Sequence, residues 1–418
     1  MKAFAATLPI FLFSAAVPMC GENAAVLPFG NAAPGASVNT GNLDWIGESI
    51  AETLRDALTI RGVVTPDRDE VQKAYRGLQL RERAILTGAS VMKVGEAVDA
   101  GQVIYGRFEF QPSPAGGGVK EFFAGESRGS LRISARVLNL RKMRQSSEFE
   151  ESGALDDLPA LEAHLAWRAL TIVAEDLAPP ESEFRSLRPA IRLDAEESYI
   201  RGLMAHSPEQ REKYFMQAAR LDARFAHPCY QLGVIHYQSK EYKQAAEWLQ
   251  KVGSDEIDYH RASFLLGMAL FQSGDYVGAQ KAFQTVAAAA PLSEVYNNLA
   301  AAESRLNLPQ ALDDFRKALE GDSNDPVYHF NAGYALYKKG DFAAAAERFR
   351  AVLERNPEDQ MATLLLGRCL KKQGLKADAN LGDARFQNLE RLKNAFEERA
   401  YLQLKSLLDR KTASPAAP

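Results

Sequence analysis

The chain has 418 residues, enough for two or three domains and a sizeable buried core. Apolar residues make up 46% and charged residues 25%, beside 29 Gly and 19 Pro, a globular composition that excludes collagen-like, mucin-like and disordered classes. Fifty basic against 54 acidic side chains leave a net charge of −4, without the basic excess of a nucleic-acid binder, and the three cysteines (Cys20, Cys229, Cys369) can build neither a disulfide framework nor a thiolate zinc site.

At the amino terminus Met1-Lys2 leads into the apolar run Ala3 to Val17, interrupted by Pro9 and followed by Pro18. The run falls short of the roughly 20 residues of a spanning helix, and Ser14-Ala15-Ala16 supplies small cleavage residues. Residues 1–16 therefore read as a secretory signal peptide cut after Ala16. Cys20 raises lipidation and outer-membrane association as an alternative to simple secretion, although Val17-Pro18-Met19 departs from a lipobox.

From 23 to 177 the hydrophobic period switches between 2 and 3.6, the pattern of a small mixed sheet with helices. Ala24 to Phe29 reads as a strand, and Asp44 to Leu58 as a helix opened by a capping Asp44, with Trp45, Ile46, Ile50, Leu54 and Leu58 at helical spacing. Gly62 to Pro66 reads as a second strand, Asp67 to Tyr75 and Ala89 to Val98 as short helices, and Gln102 to Phe110 as a strand. Beyond a Gly-rich loop, Ser130 to Leu140 alternates Leu131, Ile133, Ala135 and Val137 with polar residues, so one face is buried and the other solvated. An edge strand near Ser146 to Gly153 and a helix from Leu158 to Leu177 complete the unit.

Val26-Leu27-Pro28-Phe29, the helix start Trp45-Ile46-Gly47-Glu48, Val103 to Gly106 and the alternating Arg132 to Leu138 resemble the TolB amino-terminal and curli-secretion-lipoprotein type of domain. The resemblance implies an α/β docking module of the bacterial envelope. The Gly-rich insertion after Phe110 and the segment Arg141 to Ser147 depart from that pattern.

Pro179-Pro180 marks a linker over 178–194, so the two halves are expected to fold separately. Beyond it, Leu232-Gly233, Leu266-Gly267, Leu299-Ala300, Ala332-Gly333 and Leu366-Gly367 recur every 33 or 34 residues. Small residues follow at Ala245, Ala279, Ala311, Ala345 and Ala379, and large ones at Leu249, Phe283, Phe315 and Phe349. Small residues let two antiparallel helices approach, while large ones fill the seam. This resembles the tetratricopeptide pattern: about five repeats over 195–379, preceded within that span by one degenerate unit around Gly202. The series Phe386, Leu389, Leu392, Phe396, Ala400, Leu404, Leu407 predicts an amphipathic capping helix over 383–410, and 411–418 reads as a disordered tail.

For chemistry the sequence offers little. Gly125-Glu126-Ser127-Arg128-Gly129 matches the G-x-S-x-G string of Ser hydrolases, but a period-2 strand follows it where a nucleophile elbow needs a helix. The six histidines never stand at helical ligand spacing, so no metal site, cofactor or catalytic residue is assigned. What remains is a binding surface.

The tetratricopeptide resemblance implies that repeat positions 5, 9 and 12 line a concave groove. Those positions give Tyr230, Val234 and Tyr237; Phe264, Met268 and Phe271; Asn297; Phe330, Tyr334 and Tyr337; and Arg368 with Lys371. The carboxylate-clamp pattern of chaperone-binding repeats is missing. The expectation is a non-enzymatic exported scaffold or adaptor of the bacterial envelope, in the periplasm or on the periplasmic face of the outer membrane, that holds protein or peptide partners. A Ser127 hydrolase or a non-catalytic regulatory subunit of a signalling system is the alternative.

Overall fold

The computed structural model describes residues 23–32, 43–81, 84–112, 129–186, 191–375, 383–397, 400–402 and 404–405. Residues 1–16, expected as a signal peptide, Cys20, Ser127 and residues 411–418 lie outside the described residues.

The amino-terminal half is a mixed sheet between two layers of helix. Its strands are β1 (Ala24–Val26), β2 (Gly30–Asn31), β3 (Gln102–Pro112), β4 (Gly129–Asn139), β5 (Arg144–Gln145) and β6 (Phe149–Ala154). β1 and β2 pair parallel with β3, which runs antiparallel to β4 from Gln102↔Asn139 to Pro112↔Gly129, and β4 also pairs with β5 and β6. The expected strand at Gly62 to Pro66 contributes only the bridge Asn23↔Val64.

Alternation along the strands sorts side chains between the layers. Ala24, Val26, Ile104, Ile133 and Val137 face α1 (Asp44–Ile60) and, beyond two short helices, α4 (Leu158–Val173). Ala25, Leu27, Val103 and Leu138 face those short helices, α2 (Arg68–Gly77) and α3 (Gly88–Ala97). Asp44 stands in the first turn of α1 rather than capping it, whereas Asp67 caps α2 in a reciprocal capping box with Glu70. Gly47 is fixed by close approach: its carbonyl accepts from the Phe29 amide at 3.1 Å, and a Cβ there would overlap the Phe29 carbonyl.

The linker over 178–194 contains α5 (Glu181–Ser186), whose Phe184 is buried, and it does not separate two cores. The apolar cluster that includes Trp45, Ile50, Leu165 and Leu170 continues without a break into Ala195, Tyr199, Phe215, Phe225 and Leu232. Separate folding of the halves is therefore not what this packing favours, because either half alone would expose part of one shared core.

The carboxy-terminal half stacks the helix pairs α6 (Leu193–Met204) with α7 (Pro208–Leu221), α8 (His227–Gln238) with α9 (Tyr242–Leu249), and α10 (Tyr259–Ser273) with α11 (Tyr276–Ala289). Then come α12 (Ser293–Arg305) with α13 (Ala311–Gly321), α14 (Pro326–Lys339) with α15 (Phe342–Arg355), and α16 (Gln360–Leu370). The small-on-large seam has the expected cause. A Cβ on Gly267 would lie 2.7 Å from the Phe283 ring, and one on Gly202 2.5 Å from Phe215, so the degenerate unit packs like the others. Ala379, expected in a second helix after α16, lies outside the described residues.

The capping helix expected over 383–410 does not form across its first half. Asp383–Phe386 is a single 3-10 turn and 387–397 has no regular secondary structure; helical backbone returns only at 400–402 and 404–405 among the described residues. The segment lies across the inner ends of the repeats, where its backbone bonds to side chains replace the bonds of a helix.

Candidate functional site: an occupied peptide groove

The groove is built by the first helices of successive repeats. Asn297 and Asn298 on α12 and Asn331 on α14 are fully buried. An Asn amide both donates and accepts, so it can match a peptide group whatever side chain that peptide carries. The Asn331 Nδ2 donates to the Arg391 carbonyl at 2.7 Å, and the Arg391 amide donates to the Asn331 Oδ1 at 2.8 Å. Asn298 does the same for residue 393: its Nδ2 donates to the Lys393 carbonyl at 2.9 Å and its Oδ1 accepts from the Lys393 amide at 2.8 Å. Asn297 donates to the Arg391 carbonyl at 3.1 Å and its Oδ1 accepts from Asn331 at 2.8 Å, which ties neighbouring repeats together. Residues 391 and 393 present their peptide groups to one side, as alternate residues of an extended strand do.

Side chains add a second layer. Glu390 is buried where the Lys338 Nζ reaches Oε1 at 2.8 Å, the Arg305 Nε reaches Oε2 at 2.5 Å and the Ser304 hydroxyl donates to Oε1 at 2.8 Å. Burial works to raise the Glu390 carboxyl, yet Lys338 and Arg305 outweigh it and hold the group below the usual range. Arg391 lies 3.4 Å above the centre of the Phe330 ring and forks onto Asp359, its Nη1 to Oδ2 at 2.5 Å and its Nη2 to Oδ1 at 3.0 Å. Those hydrogen bonds hold Asp359 below the ordinary carboxylate range. Lys393 pairs with Asp325 at 2.5 Å.

Asp325 and Asp359 are also the N-caps of α14 and α16, accepting from the Val327 and Ala362 amides. Each capping carboxylate thus serves the helix and the segment at once. The Glu397 amide donates to Glu294 at 3.1 Å, the Phe396 ring packs tilted against Phe264 with centroids 5.2 Å apart, and the Tyr401 hydroxyl is 2.7 Å from the His260 Nδ1. At the other end the Tyr334 hydroxyl donates to the Phe386 carbonyl at 2.7 Å, and the Arg368 guanidinium lies 4.5 Å over the Phe386 ring. The segment therefore runs from α16 towards α10, against the order of the repeats.

Of the twelve residues expected to line the groove, five contact the segment directly. These are Phe264, Asn297, Phe330, Tyr334 and Arg368, while Met268 supports Asn298 through its sulfur at 3.2 Å. Phe271 carries the Arg305 guanidinium 5.1 Å above its ring, and the Tyr337 hydroxyl accepts from Arg368 and donates to the Gln373 carbonyl. Lys371 is exposed, and Tyr230, Val234 and Tyr237 on α8 are half-buried. Tyr230 lines a cleft of about 310 Å³ between α1, α2 and α8 that Leu402 also borders, with the Arg261 guanidinium 5.1 Å above its ring.

Position-by-position reading missed Asn298 and Asn331, Arg305 and Lys338, and Asp325 and Asp359. A signal was present: each of these pairs repeats a polar type at a spacing of 33 or 34 residues.

At the joint of the two halves lies another buried polar set. Glu162 on α4 and Glu196 on α6 are buried against α1, where Thr53 donates to Glu162 and Ser49 to Glu196, each at 2.9 Å. Burial, and then the neighbouring Glu196, push the Glu162 carboxyl well above its usual range. His227 on α8 meets Asp56 on α1 at 3.0 Å; burial opposes its charge, but Asp56 lifts it to about 9. Cys229 and Cys369 are buried free thiols. No described helix is long and apolar enough to cross a membrane.

Comparison with known proteins supports the repeats. Tetratricopeptide repeat models match residues 226–252, 264–326 and 330–388. Similar solved structures include MamA from Desulfovibrio magneticus RS-1, at 27% identity over 41% of this chain and 99% of that one, with a TM-score of 0.37. Another is YrrB, described as a TPR protein with an unusual peptide-binding site, at 16% identity over 48% of this chain and 96% of that one, with a TM-score of 0.38. No curated protein matches the chain. The carboxy-terminal half is thus an array of tetratricopeptide repeats.

Proposed function

We propose that the protein is a non-catalytic adaptor whose repeat groove holds an extended peptide segment of a protein partner. The observation that carries this reading is the pairing of Asn298 and Asn331 with both main-chain groups of alternate residues. Main-chain bonds of this kind give affinity for any extended chain, and flanking charges select which one. The α/β half, joined to the array through one core, serves as the second docking surface. The segment 1–16 and the likeness of Val26 to Phe29 and Arg132 to Leu138 to TolB-type modules support export to a bacterial envelope, in the periplasm or at the periplasmic face of the outer membrane.

Affinity capture from an envelope extract tests the reading, with wild type and an Asn298→Ala/Asn331→Ala chain compared side by side. A protein retained by wild type and lost with the double variant, at unchanged helical content, is the expected result. An identical captured set would place recognition away from the groove.

A further inference from the structure

Resting on the reading of the groove as a peptide site, we infer that residues 386–397 are a built-in competitor, and that the groove selects partner peptides carrying the same side-chain order: acidic, Arg, apolar, Lys, two of any kind, aromatic, the apolar place being that of Leu392, which packs on the cluster around Phe264 and Leu299. Three observations lead there. The segment is held by side chains reaching its main chain, a mode that an incoming peptide can reproduce atom for atom, whereas a permanent structural element more often completes its own backbone bonds within a helix or sheet.

The side-chain sites are discrete and of fixed sign. Lys338 and Arg305 bracket one acid, Asp359 with the Phe330 face takes one guanidinium, Asp325 takes one ammonium, and Phe264 takes one ring. Spaced as Glu390, Arg391, Lys393 and Phe396, they define an order that a reversed or charge-swapped peptide cannot satisfy without placing like charges together. Finally, residues 394 and 395 between the anchors are exposed, so the groove leaves those positions unread.

The consequence is regulation by occupancy. A tethered segment competes at an effective concentration of the order of millimolar. If the segment is docked in about 99% of molecules, a free peptide of the same sequence binds about 100-fold more weakly than it does to an empty groove. A partner must therefore offer a better version of the pattern, or several contacts at once.

The test uses the full chain and a fluorescein-labelled synthetic peptide of sequence 385–402. Wild type should bind it weakly, and a full-length Glu390→Ala/Arg391→Ala/Lys393→Ala variant, which weakens its own segment, about 100-fold more tightly. A peptide with Glu and Arg exchanged at the positions of 390 and 391 should bind neither. In a second arm, a protease site is inserted after Ala377 in an otherwise wild-type chain, which is cut only after folding. The cut segment should then exchange for labelled peptide.

Failure of the labelled peptide to bind the variant, together with failure of exchange in the cut chain, overturns the proposal; the captured partner of the preceding section can still be found in that case. Equal binding of the exchanged-charge peptide overturns the side-chain order while leaving peptide binding intact. A wild-type dimer in sedimentation that the triple variant turns into a monomer would mean that a second copy supplies the segment, which also overturns occupancy within one chain.

Discussion

The groove and the joint both bury carboxylates between helices, but they satisfy them in opposite ways. In the groove Glu390 is countered by Lys338 and Arg305 and stays ionised, and the Asn side chains spend their amides on another segment's backbone. At the joint the hydroxyls of Thr53 and Ser49 donate to Glu162 and Glu196, and burial pushes the Glu162 carboxyl well above its usual range. A polar cluster complementary to a separable segment is suited to recognition. One set between helices of the two halves, with a carboxyl raised by burial, fastens two parts of a fold and responds to protons instead.

The sharpest way to break this contrast is through the core that the joint seals. Phe215 on α7 is fully buried in the cluster shared with Trp45 and Leu165. Phe215→Ala should cost about 3–5 kcal/mol. In a Trp248→Phe background, where the remaining Trp45 and Trp167 lie in the α/β half, tryptophan fluorescence and far-ultraviolet circular dichroism should still report one transition in thermal melts. Two separated transitions in that background with Phe215 intact would show that the shared core does not couple the halves.

Next comes pH. A carboxyl whose folded value is raised contributes stability that is fully present below the ordinary glutamate range and is lost as pH climbs through the folded value, by up to about 1.4 kcal/mol per pH unit for each proton retained. Glu162 has this sign, and so does His227, whose contribution is complete below 6.5 and fades as pH rises towards about 9. Wild type should therefore melt at a lower temperature at pH 9 than at pH 6, and Glu162→Gln should show a smaller difference. Parallel curves for the two proteins would remove the Glu162 proton from the account.

In the groove the expected effects are smaller and bounded. Arg391→Ala loses its bonds to Asp359 and the Phe330 face, about 1–3 kcal/mol. Adding Lys393→Ala should cost less than the sum of the two single losses, because no variant of the segment can lose more than the segment's own docking free energy. Hydrogen exchange at the amides of 391 and 393 measures this; strict additivity would mean that the segment is part of the global fold. Smallest of all, Lys371→Ala should change stability by no more than about 0.5 kcal/mol and leave exchange at those amides unchanged, since the residue is exposed.

The helices were legible in the sequence because their determinants are local: Gly267 facing Phe283 fixes a helix pair whatever surrounds it. Strand alternation sorted the faces of β3 and β4 for the same reason. The segment 386–397 misled because Phe386, Leu389, Leu392 and Phe396 recur at near-helical spacing, while the partners that override this preference lie 60 to 95 residues away, at Asn331 and Asn298. The aromatic floor of the groove was likewise visible by position, but the buried asparagines were not, since their value depends on a backbone that sequence order keeps distant. The joint was hidden in the same way: Glu162 and Glu196 become neighbours only when α4 and α6 both pack on α1.

A stack of repeats normally behaves as a row of dominoes, each touching only the next, so that its free end frays first and disturbance travels one unit at a time. The segment held at Arg368, Asn331, Asn298, Phe264 and His260 adds ties between units that are not neighbours. It acts as a drawstring along the concave edge. Opening the last repeat then means loosening contacts as far back as α10, so the end of the array that would otherwise be its weakest part is stiffened by its own chain.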